Sequence, residues 1–123
     1  MPKVSHKTLE QQILQEGVKF DGGKPRWDLL PFDVLNDLAM LYAKGAEKYE
    51  DRNWEKGMDW SRVFGAMLRH AHAFWERDDI DEETGMGHII AVIWNAMALA
   101  FYSKHNIGKD DRPVKKGMGL KND

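Results

Sequence analysis

His88, Asn95 and Tyr102 stand at intervals of seven in a segment, Glu83 to Tyr102, that is otherwise apolar on nearly every side. Seven residues are about two helical turns, so the three polar groups form one stripe on a greasy helix. A helix that is apolar all round is buried, and buried polar groups need partners. The stripe therefore faces a ligand or a polar network. If the preceding helix folds back on this one, His70 and Glu76 join His88 and Asn95, with Asp79 and Asp81 in the turn between. Carboxylates and imidazoles brought together in this way can hold Mg²⁺ or Mn²⁺. Loop acids of this kind also serve as solvated helix-start residues. His70 and His72 are two apart and fall on different helix faces, which argues against zinc.

Cations cluster twice. Lys24 and Arg26 lie in GGKPRW, which lacks the spacing of a Walker loop and reads either as two phosphate contacts or as a solvated linker. Lys48, Arg52, Asn53, Trp54 and Lys56 form the denser run KYEDRNWEKG. Charge for phosphate and a ring for a base suit a nucleotide. The rival reading is a turn that packs its Trp on the core. Glu47 and Glu50, three apart, can share a cation or simply end a helix.

The elements that must position these groups are helical. The expected order is a short helix over 6–16, a loop over 18–32 rich in Gly and Pro, and an amphipathic helix over 33–49. A turn over 50–60, a helix from about Asp59 or Ser61 to Arg77, an acidic loop and a buried helix over 88–104 follow. The expected buried face of the middle helix is Val63, Phe64, Met67, Leu68, Ala71, Phe74 and Trp75, with Arg69, His72 and Glu76 opposite. Residues 1–17 then form an N-terminal helix, 18–104 the helical domain and 105–123 a polar, flexible tail. The fold class is all-α. A helix apolar on all sides needs more cover than two neighbours give, so a homo-oligomer completing a four-helix bundle is expected.

Composition narrows the field. The chain has 123 residues, enough for one domain, and a formal net charge of -2, which offers no basic field for double-stranded nucleic acid. It has no Cys, which excludes disulfides and thiolate metal sites and fits a reducing cytosol. Met1 to Val18 carries no apolar run of a signal peptide, and Ile89 to Tyr102 is shorter than a membrane span. A soluble cytoplasmic protein is expected, with no membrane partner.

Taken together, KFDGGKPRWDLLP, LAMLYAKGAEKYEDRNWEKG and SRVFGAMLRHAHAFWERDDIDEETGMGHIIAVIWNAMAL resemble the phage and prophage dATP/dGTP diphosphohydrolase family, itself related to the MazG-like all-α nucleotide pyrophosphohydrolases. The resemblance covers roughly residues 19 to 102. It implies an all-α bundle, dimeric or larger, in the cytoplasm of a bacterial host. It also implies a divalent metal, and attack of water on the α-phosphate of a purine deoxynucleoside triphosphate with loss of pyrophosphate. MazG-like enzymes bind metal through an E-E-x-x-E helix and an E-x-x-D helix. Here those places hold Arg69-His70-x-x-Ala73 and His88-x-x-Ala91. Metal ligation then falls to Glu47, Glu50, Glu76, Asp79 and Asp81. Lys24, Arg26, Lys48, Arg52, Asn53, Trp54, Lys56 and Arg69 would hold the substrate, and His70, Glu76, His88 and Asn95 would serve catalysis. The alternative is a non-catalytic phage protein that sequesters a nucleotide or a nucleotide-derived defence signal.

Overall fold

A computed structural model describes residues 22–115 and residue 117. The helix expected over 6–16 lies outside the described residues. The chain divides into two units between Leu30 and Pro31. In the described part of the first unit, a short 3₁₀ turn, Trp27–Leu29, stands where the sequence suggests only extended loop. Arg26 holds it from the side through a two-pronged bond to Asp28, 2.9 and 2.8 Å long.

The second unit carries three helices: α1 (Phe32–Lys48), α2 (Trp60–Trp75) and α3 (His88–His105). The described residues form no strand, and the fold class is all-α as expected. Pro31 suits the entry to α1 because its fixed φ and missing N–H cost nothing there, and its carbonyl accepts from Leu35 N–H at 3.0 Å. Asp33 in the first turn and Lys48 in the last complement the helix dipole. Leu38 is the α1 residue that becomes buried. Between α1 and α2 a second 3₁₀ turn, Asn53–Lys56, brings Trp54 inward.

α2 and α3 form an antiparallel hairpin and pack on each other more extensively than α1 packs on α3. Their core is Trp60, Val63, Ala98 and Tyr102, with Trp54, Trp94, Leu99, Phe101 and Ile107 around it. The expected buried face of α2 is only partly realised. Val63 is buried, whereas Phe64, Leu68, Phe74 and Trp75 are exposed. α3 is likewise open on one side, at Ile89 and Met97, because a single chain supplies neighbours on only part of its circumference.

The segment after α3 departs from the expected free tail. Asn106 adopts a left-handed conformation that ends the helix, and Ile107 N–H returns to the Tyr102 carbonyl at 3.0 Å. Trp60 Nε1–H donates to Ile107 O at 2.9 Å, and Trp60 N–H to Lys109 O at 3.0 Å. The Asp111 carboxylate accepts from Ser61 N–H at 2.8 Å and from the Ser61 hydroxyl, and so caps α2. Asp59 and Ser61 thus start α2 at the expected place, but a side chain far along the chain supplies the cap. Among the described residues no helix is long and apolar enough to cross a membrane.

Candidate functional site

A cleft of 1410 Å³ opens along the second unit. That exceeds the roughly 300–1,000 Å³ of ordinary small-molecule pockets, as an open groove does. Its walls come from the second half of α1, the turn over 49–58, one stripe of α2, the loop at Asp81, and Ala91, Trp94 and Asn95 of α3. The α2 stripe is Arg62, Val63, Ala66 and His70, which recur at nearly four-residue spacing and so share a face. Gly45, Ala66 and Ala91 keep the walls apart by presenting almost no side chain.

The hairpin brings His70 and His88 together. Their Nδ1 atoms are 2.8 Å apart and their ring centroids 5.1 Å. At that distance one Nδ1 donates and the other accepts, so the pair holds complementary tautomers. Burial pushes the His70 pKa below its ordinary value, and His88 and Arg69 push the same way, while Asp81 and Glu83 oppose them. His88 Nε2 lies 3.6 Å from the exposed Asp78 carboxylate, an ion-pair distance and not a hydrogen bond. In the tautomer with His70 Nδ1 as donor, His88 Nδ1 accepts and His70 Nε2 keeps a lone pair. Asp78 has no place in the sequence reading; only the loop fold brings it to His88.

The rest of the stripe on α3 is not one network. Asn95 is buried and lines the cleft, but its amide N–H donates to Ala91 O of its own helix at 2.8 Å. Tyr102 is fully buried and donates to the Trp54 carbonyl. Trp54 lines the cleft as expected of a ring for a base, yet it touches four rings: Tyr42, Trp94, Phe101 and Tyr102, with centroids at 5.7, 6.1, 5.0 and 6.2 Å. Its packing role is thus realised in full. Trp94, on the adjoining wall, is invisible to spacing because it reads as one more apolar residue of α3.

The cations of KYEDRNWEKG line the cleft, each with an acid beside it. Lys48 lies 3.6 Å from Glu83, Arg52 2.6 Å from Glu55, and Lys56 against Glu50, whose carboxyl it holds below the usual range. Asn53 opens the second 3₁₀ turn and also lines the cleft. Arg69 does not line it. Lys24 and Arg26 belong to the first unit.

A scan of family models decides the lineage: one described as dATP/dGTP diphosphohydrolase, N-terminal, matches residues 15–112. The chain belongs to this dATP/dGTP diphosphohydrolase N-terminal family. It is similar to a dATP/dGTP diphosphohydrolase of Salmonella phage PMBT28, with 30% identity over 96 residues that make up 78% of this chain and 33% of that protein. The chain thus spans about a third of the length of the curated relative it matches. No solved structure matches it.

The acids that the resemblance implies as ligands stand apart from one another in the single chain. Among the described residues no three His, Asp or Glu side chains converge as a metal site would need. The physical reasons are local. Both Asp81 oxygens hold the loop, accepting from Glu83 N–H and from the Thr84 hydroxyl, each at 3.2 Å. Glu50 pairs with Lys56, and Glu76 lies 3.6 Å from His72 on the solvent face of α2. Asp79 is exposed and contributes its backbone carbonyl to His88 N–H at 2.8 Å. Glu47 lines the cleft but belongs to no group of three ligating side chains among the described residues. His70 and His88 each commit Nδ1 to the other.

Proposed function

We propose that the chain serves the hydrolysis of dATP or dGTP to the monophosphate and pyrophosphate, with the cleft as the nucleotide site. The observation that carries this reading is a cleft with an aromatic wall and five basic side chains, Lys44, Lys48, Arg52, Lys56 and Arg62, in a chain of this family. The Lys48, Arg52 and Lys56 pairs involve cations that are mostly exposed, and such pairs contribute little each. A triphosphate, with more charge than one carboxylate, can displace the acids and take the three cations for itself.

In the reaction a water oxygen bonds to the α-phosphorus. The bond from that phosphorus to the bridging oxygen breaks, and pyrophosphate leaves with the electron pair. The water must lose a proton. His70 lines the cleft, is neutral at pH 7 because burial lowers its pKa, and is oriented by His88, which suits it to accept that proton. The alternative is a cleft that holds a nucleotide, or a signal derived from one, without turnover; the family match does not favour it.

Incubating the chain with each dNTP and NTP, with Mg²⁺ or Mn²⁺ and with EDTA, separates the two when products are resolved by anion exchange. Release of dAMP or dGMP with pyrophosphate supports hydrolysis, and His70→Gln should then lower the rate on the order of 10²-fold. Intact nucleotides under every condition would refute hydrolysis by this chain.

A further inference from the structure

Among the described residues one buried side-chain polar atom has no hydrogen-bond partner, the hydroxyl of Tyr42. Tyr42 lies on the α1 side of the cleft, with its ring against those of Trp54 and Trp94, at 5.7 and 5.8 Å between centroids. The polar groups around it make their hydrogen bonds to other partners. Tyr102 donates to the Trp54 carbonyl, the Glu55 carboxylate accepts from Arg52, and one Asn95 N–H is given to Ala91 O. Burial, with Tyr102 and Glu55 adding to it, raises the Tyr42 pKa, so the hydroxyl stays a donor across the neutral range. A buried hydroxyl without a partner is a standing cost, and Phe would fill the same space without it.

We propose that Tyr42 is a base-reading residue, whose hydroxyl donates to an acceptor on the edge of a purine bound in the cleft. This rests on the reading of the cleft as a nucleotide site. The surroundings choose the base over the phosphates. Indole rings offer no charge to a phosphate, whereas a flat heteroaromatic ring can lie against them. Asn95 lines the same cleft with one amide N–H and its carbonyl oxygen beyond the bond to Ala91, which suits a second contact on that edge. Reaching the hydroxyl needs a small shift of neighbouring side chains, as is common on binding.

The test is Tyr42→Phe in the full chain, with calorimetry against dATP, dGTP and inorganic triphosphate, and with thermal unfolding. The expected result is roughly tenfold weaker binding of at least one purine nucleotide, unchanged binding of inorganic triphosphate, and an unfolding temperature equal to or above that of the parent. Equal affinity of parent and variant for both purines would overturn the role of Tyr42 while leaving the cleft as a nucleotide site. A parent chain that binds no purine nucleotide would overturn the underlying reading, and this inference with it. Should the variant fail to fold, ¹³Cζ-tyrosine resonances of the parent decide. The Tyr42 signal should move with dATP or dGTP and not with inorganic triphosphate; a signal unmoved by the purines overturns the proposal.

Discussion

The Nδ1 contact with His88 disfavours a second proton on His70, because two protonated rings would point N–H at N–H. His70 has its pKa lowered in the folded chain, by burial before any other cause. In the unfolded chain it regains an ordinary value of about 6.5. Between those two pKa values the unfolded state binds more protons, so stability rises with pH across that window. Stability is full above about pH 6.5 and falls as the pH drops through the window toward the folded value. Thermal unfolding between pH 5 and 8 should show a steeper acid loss for the parent than for His70→Gln; parallel curves would refute the linkage. The meeting of these two histidines is legible in the sequence, because any hairpin of the last two helices brings their facing ends together. Asp81 is not legible in the same way. Whether a loop acid binds a cation or its own loop depends on backbone dihedrals, and here it accepts from Glu83 and Thr84. Nor is the isolation of the Tyr42 hydroxyl visible, since Tyr42 reads only as one apolar position of α1.

Helices are the level at which the sequence speaks most clearly. The apolar periodicity over 33–49 and 88–104 matches α1 and α3 to within a residue at each end. Docking of the segment after α3 is not readable, because apart from the single apolar side chain of Ile107 it relies on backbone carbonyls and one carboxylate. Gly108 is its hinge, with φ +76 and backbone of Met58 where a Cβ would stand. Gly108→Ala should therefore destabilise the chain by about 1–3 kcal/mol, measured by urea unfolding; an unchanged midpoint would show that the segment does not bear on the fold. Asp111→Ala removes the cap of α2 and should lower the midpoint too, whereas Asp110→Ala, whose carboxylate serves only the neighbouring Arg112, should not.

At the scale of the whole molecule, Phe64, Leu68 and Trp75 repeat at helical spacing on α2 and are exposed, Trp75 by 82%. Ile89 and Met97 are exposed on the neighbouring α3. Large apolar side chains left exposed on neighbouring helices are candidates for an association surface. We propose that a second copy of the chain covers it, in line with the oligomer that the hydropathy of α3 suggests. Light scattering after size exclusion should give a dimer or larger for the parent and a smaller species for Leu68→Glu; a monomeric parent would refute the proposal.

The function proposed for the chain requires that the cleft between α1, α2 and α3 receive a purine deoxynucleotide. Calorimetric titration of dATP, dGTP and dCTP into the parent and into Ala66→Trp, which fills the α2 wall, tests it most directly. The account predicts saturable binding of one purine nucleotide per chain, weaker binding of dCTP, and loss of binding in the filled variant. Purine binding that survives the filled cleft, or no binding by the parent, would contradict it.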